Sequence, residues 1–400
     1  MKIPKLPSRE EVLELLEKNW TPPYRRESID VTKALNRVPA RDYYSLNTLP
    51  LVRSAVMDGY AVKSALFKDG PPSTDNWELE RDYARADMGD DFSDDFDAVI
   101  MVEEVAFEGS RPIFKPELAV VAGLNVRPSG SQLALGQLLV KKHRPLIPKD
   151  LALLQMGGHG VIEVIKKPLV AFMPTGRELI VPGLKPQRGQ NVDTNSLLVS
   201  QTLKLMGAEC WAMPIVSDDP ALLEESLFKA LAVSDVVIIN GGSSKGGEDY
   251  NARILEKSFK SLVVGVGAAP GRPLGIFLAG EKLVINLPGP MIAAYFGLEW
   301  CLNFVINKFL HRPPIKRRLI QAKLIGPIEG PKGLSILFNV ELSLSAEGVV
   351  EAEPLDPRKA QTWRGVGAGG QYITSYEGES LKAGDFIMVE VLREEEAPFI

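Results

Sequence analysis

The residues best suited to chemistry lie in three polar loops, each of which follows an apolar run. The loops are "PTGRE" (174–178), "SDDP" (217–220) and "NGGSSKGGEDY" (240–250). The third loop contains four glycines and two serines, so many of its backbone N–H groups are available to bind phosphate. Its acidic pair, Glu248 and Asp249, suits a Mg²⁺ ion that bridges to the phosphate.

These loops also have structural explanations. A flexible glycine loop with Asp249 as a helix N-cap explains the third loop about as well, because the spacing matches neither a P-loop nor a dinucleotide fingerprint. In "SDDP", at least one Asp is expected to cap a helix, with Pro220 in its first turn. Arg272, the cation of the turn "APGRPLG", either binds a phosphate bidentately or is a solvated turn residue.

Alternating apolar strands and helices position the three loops. The runs "LVAFMPTG", "CWAMPIV" and "SDVVIINGG" are separated by "TNSLLVSQTLKLMGAE" and "ALLEESLFKALAV", which have helical length and spacing. This βαβαβ order with fully apolar strands predicts a parallel sheet covered by helices on both faces. Ligands of such sheets bind at the carboxyl ends of the strands, where the three loops lie.

The rest of the chain is predicted to be mostly β-structure. "SREEVLELLEKNW" has a Ser followed three residues later by a carboxylate, and predicts a capped helix from Ser8 to about Trp20. Residues from about 31 to 140 have short apolar runs between Gly, Pro and Asp, and "LIPKDLALLQMGGHGVIEVIKKP" predicts a helix followed by a strand. Short strands after residue 316 indicate a small β-barrel or sandwich.

Composition excludes several classes of function. The chain has 400 residues, which predicts about two to four domains. Its net charge of −5 argues against a nucleic-acid partner. The two cysteines, Cys210 and Cys301, fit a reducing cytoplasm, and no run is long and apolar enough to span a membrane. The three histidines have no ligand spacing, which leaves carboxylates as the candidate metal ligands.

Two further segments contain candidate acids. In "LVRSAVMDGYAV", Asp58 either caps a buried turn or is presented to a ligand, and Gly59 is expected to give the turn its backbone freedom. The acidic run "DMGDDFSDDFD" (87–97) lacks the ligand order of an EF-hand, so a solvated loop held by Phe92 and Phe96 is the favoured interpretation.

The motifs "SAVMDGYAV", "PTGRELIVPG", "DTNSLLVSQTLKLMGAE", "SDDP", "SDVVIINGGSSKGGEDY", "PGRP" and "LPGP" occur in the order found in the MoeA family. The chain therefore resembles the molybdopterin molybdotransferases, which are related to the E domain of gephyrin. The resemblance covers nearly the whole chain. Its most specific parts are the DGYA stretch and the glycine-rich loop that ends in Asp249 and Tyr250.

The resemblance implies an elongated, multidomain homodimer with an α/β domain, a β-rich inserted domain and a small C-terminal β-barrel. The expected domains are 1–45 with 141–168 (N-terminal and linking), 46–140 (inserted), 169–315 (α/β) and 316–400 (barrel). The implied reaction is Mg²⁺-dependent transfer of molybdate to adenylylated molybdopterin, with release of AMP. The molybdopterin adenylyltransferase is a further candidate partner.

The resemblance also assigns roles to individual residues. It implies catalytic roles for Asp58, Glu178, Asp218 and Asp249, with Asp58 reaching the pocket of the partner subunit. Glu178, Asp218 and Asp249 are the candidate metal ligands. The candidate cofactor-binding residues are Thr175, Gly176, Gly241, Gly242, Ser244, Gly246, Arg272 and Pro288.

Several motif positions depart from the family pattern. Arg177 replaces an acid in a TGDEL-type loop, and Ala269 replaces the first lysine of KPGKP. Pro290 and Met291 replace the Asn and Pro of LPGNP, and Met88 stands where a Thr of the inserted domain is usual. The absence of a charged partner is expected to weaken oxyanion binding by about 1.5–3 kcal/mol.

Three functions fit these residues. The first is an active molybdotransferase, which the acids Glu178, Asp218 and Asp249 favour. The second is a catalytically degenerate protein that keeps the fold and binds a pterin-type ligand or a partner without turnover, which the replaced Lys, Thr and Asn favour. The third is a transferase that prefers tungstate to molybdate.

Overall fold

The structure of the chain is a computed structural model that describes residues 5–241, 250–314, 316–356 and 362–392. Contacts divide the chain into two compact units, Arg26–Val164 and Met1–Arg25 with Ile165–Ile400. The division into four domains expected from the sequence is finer than this one and stays a prediction.

The helices follow the predicted pattern. Ser8 caps the first helix, since its side chain accepts a hydrogen bond from the backbone N–H of Glu11, whose carboxylate accepts from the N–H of Ser8 in return. A π-helical turn at Leu298–Leu302 joins the sixth and seventh helices. No helix in the described ranges is long and apolar enough to cross a membrane. The helices are α1 (Arg9–Asn19), α2 (Pro148–Met156), α3 (Asn195–Leu205), α4 (Pro220–Val233), α5 (Tyr250–Ser258), α6 (Met291–Gly297), α7 (Asn303–Phe309) and α8 (Thr362–Gly367).

The unit Arg26–Val164 consists of small β-sheets and α2. Its strands are β1 (Arg26–Asp30), β2 (Tyr43–Tyr44), β3 (Ser54–Ala55), β4 (Gly59–Val62), β5 (Tyr83–Ala86), β6 (Ala98–Met101), β7 (Val105–Glu108), β8 (Arg111–Phe114), β9 (Val126–Arg127), β10 (Leu138–Val140) and β11 (Val161–Ile165). The prediction of a β-rich segment is confirmed. The helix and strand predicted near its end are α2 and β11.

Gly59 has a different role from the one predicted. It is the first residue of β4, which pairs antiparallel with β5 on one side and β6 on the other. A Cβ atom at Gly59 would lie 2.0 Å from the carbonyl oxygen of Ile100. The glycine is needed because two backbones approach closely, so the expectation of a flexible turn residue was wrong.

The second unit contains the α/β sheet and the barrel. Its strands are β12 (Leu169–Pro174), β13 (Leu179–Ile180), β14 (Asn191–Val192), β15 (Glu209–Ala212), β16 (Val236–Asn240), β17 (Lys260–Val264), β18 (Ala268–Ala269), β19 (Gly275–Ala279), β20 (Lys282–Leu287), β21 (Leu319–Leu324), β22 (Ile328–Gly330), β23 (Ser335–Leu344), β24 (Val350–Leu355), β25 (Gly370–Ile373), β26 (Glu379–Leu381) and β27 (Phe386–Val391).

Six strands form the α/β sheet in the order β15–β12–β16–β20–β19–β17. The first four are parallel, which confirms the predicted parallel sheet. The sheet is extended by two antiparallel pairings, of β19 with β20 and of β17 with β19. On one face, Met173 and Ile239 pack against Leu227 of α4 and Leu255 of α5. On the other face α3 and α6 contact β12 and β20, so helices cover both faces.

The C-terminal strands form a closed barrel. β23, β24, β21, β27 and β25 pair in sequence, and β25 pairs back with β23. The interior contains Ala322, Val340, Ala352 and Val389, none of which is accessible to solvent. Each of the five strands therefore has a partner on both sides, so the structure is a barrel and not a sandwich. β18 pairs in parallel with the start of β23.

Candidate functional site

Three loops meet at the carboxyl edge of the parallel sheet. Pro174 at the end of β12 lies opposite Asn240 at the end of β16, and Asn240 lies opposite Leu287 at the end of β20. The residues that follow these strands, Thr175, Gly241 and Pro288, are therefore side by side. The structure thus brings together three of the residues predicted to bind the cofactor.

Glycine is required at two positions of this edge. Gly241 has φ +121°, and a Cβ there would lie 2.6 Å from the carbonyl oxygen of Thr175. Gly176 has φ +139°, and the carboxylate of Glu178 folds back to within 2.5 Å of where its Cβ would be. A side chain at Gly241 would force the loops apart, whereas at Gly176 the flexible Glu178 carboxylate could move and the positive φ is what favours glycine.

A buried carboxamide holds the turn after β20 in place. The Nδ2 of Asn240 donates to the carbonyls of Leu287 at 3.3 Å and Pro288 at 2.8 Å. Its Oδ1 accepts from Nδ2 of Asn195, the first residue of α3, at 2.8 Å. That same Nδ2 donates to the carbonyl of Gly289 at 2.7 Å. Two asparagines thus connect the ends of two strands with the start of a helix.

Asn251, in α5, connects the loop that follows β12 with the loop that follows β16. Its Nδ2 donates to Thr175 Oγ1 and to the carbonyl of Gly241, both at 3.1 Å. Thr175 Oγ1 donates in turn to the carbonyl of Asn240 at 3.2 Å. No role was predicted for Asn195, Asn240 or Asn251 from the sequence. The one available signal was the motif "DTN", which contains Asn195.

Two of the three predicted metal ligands lie on neighbouring loops. The backbone N–H of Gly176 donates to the carbonyl of Val216, and that of Arg177 donates to Asp218 Oδ2 at 3.2 Å. Glu178 is exposed beside them and Asp218 is partly buried. Within the described ranges no group of three or more His, Cys, Asp or Glu is arranged to hold a metal ion.

Several predicted residues of the glycine-rich loop lie outside the described residues. These are Gly242, Ser244, Gly246 and Asp249, together with Glu248. Their roles stay predictions, including that of Asp249 as third metal ligand and catalytic acid. The structural alternative for "SDDP" is confirmed for Asp219, which caps α4 by accepting from the N–H groups of its first turn.

Arg272 and Pro288 lie at the same edge of the sheet. Gly275, at the start of β19, pairs with Asn286 near the end of β20, so the preceding turn with Arg272 lies beside the turn at Pro288. Arg272 is exposed and Pro288 is buried. The carbonyl of Arg272 accepts from Val266, which fixes the backbone of the turn.

Asp58 belongs to the other compact unit, Arg26–Val164. Its Oδ1 accepts from the backbone N–H of Met88 at 2.7 Å, and the side chain is exposed. The ring of Tyr60 contacts those of Tyr83 and Phe107, whereas the side chain of Met57 is 42% exposed. Asp58 is thus exposed and also bonds a backbone N–H of a neighbouring turn, and its presentation to a ligand stays a prediction.

The acidic run 87–97 is held to the protein by apolar and polar contacts. Phe92 and Phe96 are buried, as predicted. The carboxylate of Asp97 accepts from the N–H of Ser64 at 2.6 Å and from its hydroxyl at 2.7 Å. These contacts support the interpretation as a structural loop.

Neither cysteine is suited to nucleophilic chemistry. Burial raises the pKa of the Cys210 thiol to about 11 and that of Cys301 to about 12. Both thiols therefore stay protonated at neutral pH, and a thiol is a much weaker nucleophile than a thiolate.

The fold and the strand-end loops define a class of protein: an α/β domain with a candidate ligand site at the carboxyl edge of its parallel strands, in one chain with a small barrel and a β-rich unit. Residues 7–158 match the model of the MoeA N-terminal region (domain I and II). Residues 171–308 match that of a probable molybdopterin binding domain.

Curated relatives and solved structures agree with these matches. The chain is 27% identical to a molybdopterin molybdenumtransferase of Haemophilus influenzae, over 68% of this chain and 70% of that protein. It is 29% identical to one from Nostoc, over 68% of this chain and 64% of that protein. A molybdopterin biosynthesis MoeA protein from Pyrococcus horikoshii has a TM-score of 0.81 and 27% identity, covering 97% of this chain and 100% of that one. The chain thus has a MoeA N-terminal region and a domain of the probable molybdopterin-binding type, and it is similar to MoeA proteins along most of its length.

The family resemblance predicted from the motifs is therefore confirmed. The prediction of a transferase-type enzyme is also confirmed at the level of the family, because relatives that match most of this chain are named molybdopterin molybdenumtransferase.

Proposed function

We propose that the protein transfers molybdate to the dithiolene of adenylylated molybdopterin, with release of AMP. The observation that carries the proposal is the meeting of three strand-end loops at Thr175, Gly241 and Pro288, with the acids Glu178 and Asp218 beside them. Positively charged or hydrogen-bonding groups at such an edge stabilise a phosphoanhydride under attack.

In this proposal the described glycine positions shape the cradle but do not donate to the phosphate. The backbone N–H groups of Thr175, Gly176 and Gly241 already donate to protein carbonyls. The phosphate-facing amides are therefore assigned to Gly242, Ser244 and Gly246. Arg272, exposed on the adjacent turn, supplies a cation for the anionic substrate.

The carboxylates fit a Mg²⁺ ion, because hard cations prefer oxygen ligands. Glu178 and Asp218, with Asp249, are the residues proposed to hold it. Bound there, Mg²⁺ would offset the negative charge of the phosphoanhydride. The backbone contact between Arg177 and Asp218 holds two of these acids on adjacent loops.

We also propose a homodimer in which Asp58 reaches the partner's site. Asp58 is exposed beside apolar side chains that are also exposed: Leu51 (75%) and Met57 (42%) in the same segment, and Met88 (65%) in the loop that donates to Asp58. Exposed apolar side chains beside a fixed acid fit an association surface. Light scattering of the wild type and of Leu51→Asp tests this, since the variant is expected to be monomeric. A dimer of unchanged stability contradicts this surface.

A cytoplasmic location is part of the proposal, since the free thiols Cys210 and Cys301 suit a reducing compartment. The molybdopterin adenylyltransferase is proposed as the partner protein that supplies the adenylylated substrate.

The test is AMP release by purified protein given adenylylated molybdopterin, Mg²⁺ and either molybdate or tungstate. Asp218→Asn should lower turnover at least about tenfold, because a neutral amide binds Mg²⁺ less well than a carboxylate. Glu224→Gln, an exposed acid on α4, is the matched control and should leave turnover unchanged. Equal rates in the wild type and Asp218→Asn would remove Asp218 from the site.

A second function, ligand binding without turnover, is favoured by one observation. The cleft between the turns that contain Ala269 and Met291 and strand β23 of the barrel has an apolar lining. The same assay separates the candidates. Tight binding of the adenylylated substrate with no AMP in the presence of either oxyanion supports binding alone, and faster AMP release with tungstate than with molybdate supports a tungstate-preferring transferase.

A further inference from the structure

A separate pocket lies where α1 and the π-helical turn approach the barrel. It shares no lining residue with the strand-edge loops or with the apolar cleft beside them. Its volume is about 260 Å³, below the roughly 300–1,000 Å³ that is typical of sites for drug-sized ligands, so it suits a small metabolite. The π-helical turn contributes Glu299 and Trp300 to its wall. Turns of this kind are rare and occur frequently at functional sites.

One ion pair in this pocket is complete. The Nε and Nη2 groups of Arg317 both donate to Oε2 of Glu299, and Nη2 also donates to the hydroxyl of Tyr295. Burial raises the pKa of that hydroxyl, so it accepts this hydrogen bond as a neutral phenol. The charges of Arg317 and Glu299 therefore offset each other, and neither requires a ligand.

Two other cations of the pocket lack such a partner. The side chain of Arg9 is 17% exposed, yet its ion pair is a 3.5 Å contact with the exposed Glu10, and its Nε has no hydrogen-bond partner. Burial lowers the pKa of this guanidinium. Lys316 is exposed and forms no ion pair within the described part of the chain. A cation removed from water without a close carboxylate is unfavourable, so Arg9 favours an anion and Lys316 offers it a second contact.

The same pocket contains acceptors whose hydrogen bonding is incomplete. Gln371 is 2% exposed, and its Nε2 donates to Oε2 of Glu390 at 2.6 Å, whereas its Oε1 has no partner. Glu390 forms no ion pair among the described residues, although its charge acts on Arg9. An amide oxygen and a carboxylate side by side favour an N–H donor, and a positively charged donor most of all.

We propose that this pocket binds an acidic amino acid, L-glutamate or L-aspartate. The groups without ion-pair partners of their own are two cations and one carboxylate, which is the reverse of the two carboxylates and one ammonium of the ligand. Arg9 and Lys316 are assigned to the carboxylates, and Glu390 to the ammonium. Trp300 and Ile373 provide apolar contacts for the carbon chain. This binding is independent of the proposed transfer of molybdate.

The first test is isothermal titration of the purified protein with L-glutamate, L-aspartate, glutarate and phosphate. The better of the two amino acids should bind at least about tenfold more tightly than glutarate, because glutarate has both carboxylates but leaves Glu390 without a donor. Glutarate or phosphate binding as tightly as the amino acids would indicate a general anion site and overturn the proposal. The absence of binding of both amino acids would also overturn it.

The second test removes a charge from an exposed side chain, a change that the fold should tolerate. Lys316→Gln should weaken binding of L-glutamate about tenfold, because a charge-assisted hydrogen bond is lost. Lys382→Gln, an exposed lysine in the turn before β27, is the matched control and should bind as the wild type does. Equal affinities of the wild type and Lys316→Gln would contradict the proposal.

The third test gives opposite results for two ligands, which general damage to the pocket does not produce. Glu390→Gln should bind L-glutamate at least about tenfold more weakly, because the ammonium loses its carboxylate. The same variant should bind glutarate more tightly, because a negative charge near the ligand is removed. Equal losses for both ligands would refute the proposal. None of these measurements requires AMP release, so they remain valid whether or not the protein transfers molybdate.

Discussion

Replacing Asn240 by Asp changes the donors at the strand edge without changing the shape of the side chain. Asn240 is 3% exposed, and its Nδ2 donates to the carbonyls of Leu287 and Pro288. In Asn240→Asp, an oxygen that cannot donate when ionised takes the place of that nitrogen. It then faces two carbonyl oxygens, and the turn after β20 loses its attachment to β16.

The expected cost follows from these hydrogen bonds. Two of them are removed, worth together about 1–3 kcal/mol. The buried carboxylate faces these two acceptors, while Asn195 Nδ2, 2.8 Å from the present Oδ1, still donates to it. Adding the penalty for the buried charge, we expect the free energy of unfolding of Asn240→Asp to fall by about 3–5 kcal/mol at neutral pH.

The effect should depend on pH with a defined sign. Burial favours the neutral acid, so the folded-state pKa of the new carboxyl lies above its unfolded value of about 3.9. The folded state then binds the proton more tightly, and stability falls as pH rises from that unfolded value through the folded one. The difference from the wild type should therefore be smaller near pH 4 than at pH 7.

Urea unfolding followed by tryptophan fluorescence at several pH values measures this difference. Asn76→Asp, at an exposed position, is the matched control and should lie within about 0.5 kcal/mol of the wild type. If Asn240→Asp at pH 7 is as stable as Asn76→Asp, the carboxamide does not hold the turn and the reasoning fails.

Three further outcomes follow from backbone and burial. Gly241→Ala should lower the melting temperature far more than Gly280→Ala, because both glycines have positive φ but only at Gly241 would a Cβ lie within 2.6 Å of a carbonyl oxygen. Equal decreases in melting temperature would show that the positive φ alone accounts for the loss of stability. Gly59→Ala should destabilise its unit by several times more than Gly160→Ala, where a Cβ meets no atom within 4 Å; thermal unfolding of the two variants is the measurement, and a tolerated Gly59→Ala would contradict the close strand approach. Cys301 should react with a thiol reagent at pH 8 at least about a hundredfold more slowly in the native than in the unfolded protein, because burial raises its pKa to about 12 and leaves little thiolate. Similar rates in the two states would refute the burial of this thiol.

The sequence was sufficient to place the strand-end loops. Strands such as Leu169–Pro174 and Val236–Asn240 are buried on both faces, so their apolar runs were continuous and the polar residues after them marked where they end. Asp219 could be recognised as a cap because capping depends on residues only two or three positions away. Signals of this kind are local, and they survive in a single sequence.

The asparagine network could not be predicted, because its partners depend on which strands are neighbours. Asn195 is 45 residues from Asn240 and 94 residues from Gly289, the two groups to which its Nδ2 donates. A buried asparagine and an exposed one look the same in a sequence. For Gly59, the cause is a carbonyl on another strand, which no turn pattern contains.

The cleft beside the α/β turns could not be predicted from the sequence for the same reason. Ala269, Met291 and Ile336 lie in three separate segments, and they share a surface only because the barrel packs beside the turns of the α/β sheet. The motif departures could be seen one by one from the sequence. Their common location required the fold.

The pairing of β18 with β23 has a consequence for how this protein can be divided. Ala268 and Ala269 belong to the α/β half, yet they bond to Ser335 and Ile336 of the barrel. A chain cut near residue 315 would leave β18 without its strand partner β23. The barrel is therefore not an exchangeable module, and fusions or truncations designed for this protein should keep residues 165–392 together with the N-terminal segment up to Arg25, which belongs to the same compact unit.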